Sequence, residues 1–413
     1  MPPERAERVH APMQQFAVRN GELHVGDIAL TQLAARVGQT PFYAYDRALL
    51  HARVHELRRA LPAAVKLHYA MKANPMPALV AVMADLVDGI DVASAGELKL
   101  ALDAGANPAE VSFAGPGKRE TELRQAVAAQ VLINIESARE VDLLERIAAE
   151  QGLAARVAVR VNPDFALKGA GMKMGGGPQQ FGVDAEQVAQ LLTQIARAGL
   201  AFEGFHLFAG SQNLQAQSIC AAQLQAYALA LRLAQHAPSP VRSLNLGGGF
   251  GIPYFPGEQR LDLARIGENL AELSLRAQHD LPQAELVIEL GRYLVGEAGI
   301  YVTRIVDRKL SRGQVFLVCD GGLHHHLAAS GNFGQVIRKN YPVTIGNRID
   351  SPLTEVASVV GPLCTPLDLL ADQMTLPLAQ AGDLVVVFQS GAYGPSASPQ
   401  TFLGHPPCVE VLV

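Results

Sequence analysis

Beyond Thr40-Pro41, two kinds of apolar pattern alternate along the chain: short contiguous hydrophobic runs, and longer stretches in which hydrophobic residues recur every three or four positions. Contiguous runs bounded by turn residues predict strands buried on both faces, and the wider spacing predicts amphipathic helices. The strand-like runs are Lys66–Met71, Gly89–Ala93, Val111–Ala114, Val131–Ile135, Arg156–Val161, Gly204–Phe208, Ser243–Leu246 and Leu286–Leu290. Eight parallel strand–helix units suffice to close a (β/α)8 barrel of the TIM type. Ser94-Ala95-Gly96-Glu97 reads as a capping box opening a helix at Leu98–Ala104. Stretches 214–236 and 261–279, rich in Ala, Leu and Gln, read as outer helices whose apolar stripe packs on the barrel.

The rhythm differs at both ends. Residues 1–20 carry no pattern, residues 22–28 alternate like an edge strand, and a short helical pattern follows over Ile28–Arg36. After Arg292 come Gly299–Val306, Gln314–Asp320, Val343–Ile345, Glu355–Val360, Asp383–Phe388 and Val409–Val413, β-rich runs separated by Gly, Pro and Asn. These predict a mainly antiparallel β domain that also takes the N-terminal strand. The expected organisation is an N-terminal segment 1–40 joining the β domain, a barrel over 41–292 and a β-rich domain over 293–413. The Gly-rich connection from Asn162 to Gly182 reads either as a crossover or as a loop covering a site at a strand mouth.

Composition narrows the function classes. With 413 residues, 49% hydrophobic and 18% charged, the chain can bury a large core, and a net charge of -5 without basic blocks argues against nucleic acid. The apolar runs are too short to span a bilayer, and the first residues lack the apolar core of a secretory signal, so a cytoplasmic protein without a membrane partner is expected. Cys220, Cys319, Cys364 and Cys408 lack metal-type spacing, and neither a disulfide framework nor a zinc site is expected. Three successive histidines, His324 to His326, would point to alternate faces if on a strand, which disfavours a shared metal.

Candidate chemistry gathers at strand ends. Lys72 closes the first run just before Asn74-Pro75; an amine there reads either as a solvated surface group or as a desolvated nucleophile for a carbonyl. Gly247-Gly248-Gly249 follows the seventh run, where barrels of this type often bind phosphate. Glu289-Leu290-Gly291-Arg292 ends the eighth, either as a structural ion pair or as the two polar ends of a site for an aromatic phosphate. His206 and Ser211 lie at the end of the sixth, where the imidazole can stack on a ring and the hydroxyl can bind phosphate. Cys364, between two prolines, and Tyr393 fall on turns of the β region.

These motifs occur in the order found in the fold-type III pyridoxal-phosphate decarboxylases, the family of the ornithine and diaminopimelate decarboxylases, and the chain resembles that family over about residues 40 to 405. The resemblance implies an alanine-racemase-like barrel with a C-terminal β domain, pyridoxal 5'-phosphate as cofactor, and decarboxylation of an L-amino acid through a Lys72 aldimine and a quinonoid intermediate. It assigns the stacking ring to His206 and the ring-nitrogen partner to Glu289. The phosphate would be held by Ser211, Gly247, Gly248, Gly249, Gly291, Arg292 and Tyr393, with Asp91, Glu97 and Arg160 in support. Cys364 would reach into the site of a second copy, making a homodimer the active unit, and either Cys364 or His206 would return a proton to the substrate.

Where ornithine and diaminopimelate decarboxylases carry Asp or Glu after that cysteine, this chain has Thr365-Pro366. A distal ammonium would lose its partner there. Together with Met174-Gly175-Gly176-Gly177 and the histidine run, this resembles the subgroup acting on amino acids tethered to acyl-carrier proteins and the exosortase-associated decarboxylases. Thr365, Arg338 and Tyr341 are the residues expected near the substrate. A diaminopimelate-type decarboxylase of a free amino acid, an amino-acid racemase and a non-catalytic pyridoxal-phosphate protein are the competing readings.

Overall fold

The computed structural model describes residues 9–169, 171–335 and 337–413 and divides into two compact units. The barrel unit comprises Ala52–Gly251 and Leu261–Tyr293; the β unit comprises the described residues up to His51, Ile252–Arg260 and Leu294–Val413.

In the barrel unit the strands are Val65–Ala70, Gly89–Val92, Val111–Phe113, Leu132–Ile135, Arg156–Asn162, Ala201–Leu207, Ser243–Gly248 and Glu285–Leu290. All are parallel, and the last pairs with the first from Leu286↔Val65 to Leu290↔Tyr69, so the eight strands close into a barrel. Contiguous apolar runs suit these strands because one face fills the barrel and the other lies under helices. Helices Ala216–Ala234 and Leu263–Asp280 pack on each other, burying Ile219, Leu229 and Leu233 from one and Ile266, Leu270 and Leu273 from the other. Each such side chain stabilises the fold by about 1.5–3 kcal/mol. Ser94 caps its helix as predicted, its Oγ accepting from Glu97 N at 3.2 Å. Glu97 reaches one residue further back than a capping box requires, accepting from Ala93 N at 2.7 Å.

In the β unit the sheet order is Val343–Ile345, Leu384–Val387, Gly299–Ser311, Gln314–Cys319, Thr354–Val360, Leu369–Pro377. Phe42–Tyr45, inside the stretch read as barrel, pairs antiparallel with Gly299–Ser311 and parallel with Val409–Leu412. All four of its residues are buried, as a central strand requires. The alternating segment 22–28 instead forms a separate small sheet with Val18–Arg19, and places Leu23 and Val25 in one core with Phe42, Ile300, Val302 and Val386. Phe16 joins this core, so part of the unpatterned stretch 1–20 is packed, while residues 1–8 lie outside the described residues. The strand Leu369–Pro377 gave no sequence signal: Ala371, Asp372, Gln373 and Met374 are poor strand formers, Gln373 has φ +44°, and the register against Thr354–Val360 shifts. Among the described residues no helix is long and apolar enough to cross a membrane.

His324, His325 and His326 occupy a turn, not a strand: the N–H groups of His325 and His326 both donate to Gly322 O. All three side chains are buried. His325 Nε2 donates to Pro406 O at 2.8 Å, and His326 Nε2 lies 2.9 Å from Ser390 Oγ. Burial holds His324 and His326 down at about 3. Both bind a proton more readily unfolded, so the stability they contribute is complete above the ordinary value of 6.5 and is lost as pH falls toward 3. The expected slope is up to about 1.4 kcal/mol per pH unit for each histidine. Melting temperature against pH should flatten over this window in His326→Asn; an unchanged slope contradicts this account.

Candidate active site

Lys72 sits in the single 3-10 turn Met71–Ala73 that ends the first barrel strand. Tyr69 Oη donates to Asn74 O at 2.8 Å, and Asn74 Oδ1 accepts from Met76 N at 3.0 Å, so the chain leaves the strand at a fixed point. Lys72 is exposed in the single chain, because the strand has ended at Ala70 and the turn carries the side chain beyond it. Its Nζ lies 5.6 Å from the centroid of the buried Phe208 ring. Its charge also acts on Glu97 and Glu289.

Glu289 is buried in the eighth strand beside His206 of the sixth, Nε2 to Oε2 2.9 Å. The approach is at ion-pair distance but not aligned as a hydrogen bond, and both ring nitrogens of His206 are otherwise buried without a hydrogen-bond partner among the described residues. Burial acts to raise the Glu289 carboxyl, but His206, Lys72 and Arg160 outweigh it and hold it well below the usual carboxylate range. Asn245 Nδ2 lies 3.4 Å from Glu289 Oε2, and Asn245 Oδ1 accepts from Gly247 N at 2.8 Å. Arg160 donates to the buried Glu136 at 3.2 Å and stacks 5.0 Å from the Phe181 ring. Asp91 meets His68 Nδ1 at 3.2 Å; burial lowers the His68 pKa, but Asp91 overrides it and the net shift is upward.

The glycine run is tightly built. A Cβ on Gly248 would strike Glu289 O, one on Gly249 would strike Gly210 O, and Gly247 (φ +70°) leaves its would-be Cβ 3.1 Å from the Phe208 ring. A Cβ on Gly291 would lie 2.9 Å from Ala73 Cβ, so the turn carrying Lys72 packs directly on the eighth strand mouth. Ser211 is in a two-residue strand, Gly210–Ser211, paired antiparallel with Met172–Lys173, and Gly171 N donates to Ser211 O at 2.9 Å. The Gly-rich connection is therefore fastened over the sixth strand mouth; Ala170 within it lies outside the described residues.

The other expected residues belong to the β unit. Cys364 is exposed, and Thr365 follows it in a turn in which Thr365 N donates to Leu363 O. Asp368 turns inward: Oδ1 accepts from Leu323 N at 2.6 Å and Oδ2 from Leu363 N at 2.8 Å, tying the Cys364 loop to the histidine turn. Arg338 donates to Leu369 O at 2.8 Å and more weakly to Ser330 O. Tyr341 is buried in an aromatic group with Tyr254, Phe255 and His326, its centroid 4.6 Å from that of Tyr254. Tyr393 has φ +54°, a strained conformation for an aromatic residue of the kind that collects at functional sites. A Cβ on Gly361 would strike the Asp368 carboxylate. Gly361→Ala should displace that carboxylate, cost about 1–3 kcal/mol in denaturant unfolding, and leave cofactor retention in the barrel unit intact.

The contacts also bring in residues the motifs did not name: Phe208, Asn245, His68 and Glu136. His68 and Asn245 had a signal, one polar residue in each of the eight barrel strands, His68, Asp91, Ser112, Asn134, Arg160, His206, Asn245 and Glu289, all buried and most touching another of the set or Glu136; Phe208 and Glu136 lay outside that pattern. A polar group in an otherwise apolar strand needs a partner inside the barrel. An exposed amine, a buried carboxylate beside ring nitrogens without hydrogen bonds, and a backbone cradle that any Cβ would fill together fit an aromatic aldehyde phosphate with a ring nitrogen.

Comparison with known proteins agrees. Residues 47–296 match the family described as pyridoxal-dependent decarboxylase, pyridoxal binding domain. The chain is 38% identical over 396 residues to an L-glutamyl-[BtrI acyl-carrier protein] decarboxylase of Niallia circulans, covering 94% of this chain and 92% of that protein. It is 33% identical to a diaminopimelate decarboxylase of Aquifex aeolicus, covering 96% and 91%. The crystal structure of diaminopimelate decarboxylase from Helicobacter pylori complexed with L-lysine superposes with a TM-score of 0.80 at 26% identity, covering 93% of this chain and 94% of that one. A match of this extent, on a barrel whose mouth fits the cofactor, means that the chain belongs to the pyridoxal-phosphate-dependent decarboxylases.

Proposed function

We propose that the substrate is an L-amino acid whose distal end carries no free charge because it is joined to an acyl-carrier protein. The observation that carries this reading is the orientation of Asp368. It is the sole carboxylate in the loop 361–368, and both of its oxygens are engaged by backbone N–H groups. A free distal ammonium near Cys364 and Thr365 would find no carboxylate in that loop, and desolvating it unpaired is costly. The relative in Niallia circulans is named for an L-glutamyl group on a carrier protein, which supports the same reading.

Pyridoxal phosphate bound here supplies an electron sink for the pair left when the α-carboxylate departs. Lys72 provides the amine that anchors the cofactor aldehyde. Glu289, held ionised, favours a proton on the ring nitrogen. Ser211, the Gly247–Gly249 backbone, Gly291 and Arg292 hold the phosphate, and Asp91 and Arg160 fix the polar walls around it. Cys364 acts in the site of a second copy of the chain, so the working unit is a homodimer, with Thr365, Arg338 and Tyr341 shaping the substrate side.

Intact-mass spectrometry tests the substrate. The enzyme should remove the mass of carbon dioxide from a glutamyl-loaded carrier protein, and Lys72→Ala should not. Loss from free diaminopimelate or another free amino acid, with the loaded carrier untouched, would overturn the carrier-linked reading and leave a diaminopimelate-type activity.

A further inference from the structure

We propose that His68 is a positioning residue for Asp91, and that its imidazole exchanges a proton with solvent through a cavity at the end of the barrel opposite Lys72. The two residues stand on adjoining strands, His68 in the first and Asp91 in the second, with Nδ1 3.2 Å from Oδ1. Asp91 is level with Ala70, two residues before Lys72. Its Oδ2 is buried without a hydrogen-bond partner among the described residues. His68 therefore holds one carboxylate oxygen from the strand side and leaves the other uncommitted.

The far side of the imidazole has no hydrogen bond either: Nε2 is buried without a partner among the described residues. It stands beside Gly89, where a Cβ would strike both His68 Nε2 and Glu110 O, so the missing side chain leaves room at this depth. A cavity of about 380 Å³ lies at the strand starts, with the buried His68 and Ser112 and the exposed Arg242 and Glu285 in its lining. The interior of such a barrel is ordinarily filled by branched apolar side chains, and its N-terminal face serves stability. A cavity this polar and this large admits water, and water brings protons to the ring from the far end of the barrel.

The other charges near the ring are already paired. Lys66 on the same strand meets Glu110 at 2.9 Å and Glu285 at 2.7 Å, Arg156 meets Glu203 at 2.6 Å, and Glu289, in register with His68 on the eighth strand, meets His206. Burial opposes a charge on the imidazole, but Asp91, Glu110 and Glu289 favour it more, and its pKa lies above the ordinary 6.5. The proton is held more tightly in the folded chain, so the contribution of the charged ring is complete below 6.5 and is lost as pH rises through the higher folded value. With the proton goes the positive charge that faces Asp91.

The inference concerns the cofactor end of the site, so failure to act on a loaded carrier protein does not touch it. The test uses protein in which borohydride has fixed pyridoxal phosphate on Lys72, and the fluorescence of the reduced pyridoxyl group reports its surroundings without turnover. Wild type, His68→Gln and His68→Phe are compared, each first shown to be folded by far-ultraviolet circular dichroism. Glutamine keeps a donor for Asp91 without a titration, and phenylalanine removes both. The reduced wild type should show a reversible fluorescence transition above pH 6.5 that both variants lack. In unreduced protein below that pH, His68→Gln should bind pyridoxal phosphate within about threefold of wild type, and His68→Phe roughly tenfold more weakly. A transition that persists in His68→Gln, or binding by His68→Phe as tight as by His68→Gln, would overturn the positioning role. A reduced wild type with no transition would overturn the proton route.

Discussion

Lys72→Ala should retain no cofactor after borohydride reduction and lose turnover by about a thousandfold or more, while the fold is unchanged. The first expectation follows from chemistry: removing the amine removes the atom that forms the covalent link in the proposed site, and nucleophilic anchoring is not replaced by neighbouring groups. The unchanged fold follows from position, because the turn Met71–Ala73 carries an exposed side chain beyond the end of the strand. An exposed residue in a short turn contributes little to packing, so melting temperature of the cofactor-free protein should be nearly that of the wild type. Mass spectrometry of reduced protein reads the anchoring directly. A variant that still carried reduced cofactor would move the anchor away from Lys72.

Glu289→Gln should keep the anchored cofactor and yet lower kcat by about 10²–10³-fold, the cost of removing one preorganised charge from a buried site. The carboxylate is held below its usual range against burial, so it stays ionised throughout the neutral range and its charge is available without a proton transfer. Glutamine preserves the shape and the contact with Asn245 but removes the charge that favours a proton on the ring nitrogen. KM for the substrate should change little, because in the proposed site Glu289 serves the cofactor and not the substrate. A large rise in KM with kcat preserved would show that the residue binds substrate instead. The same variant should remove the reason for the close approach of His206, raising the mobility of that imidazole in NMR relaxation.

Much of the site is legible in the amino-acid sequence because the chemistry stands at strand ends. Lys72, the glycines 247 to 249 and Glu289 each interrupt an apolar run with a polar or side-chain-free residue, and such an interruption in a buried strand needs a reason. Which neighbour each residue meets is not legible there. Asp368 reads as a loop carboxylate until the fold brings Leu323 and Leu363 N–H groups onto its oxygens. Between the solvated and the desolvated reading of Lys72 the sequence does not choose; in the single chain the side chain is exposed because the strand stops two residues earlier.

The alternation of strand and helix, the eight barrel strands, the change to β structure after Arg292 and the residue types of the candidate site can all be read along the chain. Those features are local: periodicity, turn residues and strand-end polarity act over a few positions and need no partner to be recognised. The pairing of Phe42–Tyr45 with Gly299–Ser311 and Val409–Leu412, the strand at Leu369–Pro377 and the meeting of Glu289 with His206 emerge from the folded chain alone. Each of these is a pairing between distant segments, and its register is set by closing the barrel and filling both faces of the sheet, conditions that no single stretch of the chain contains.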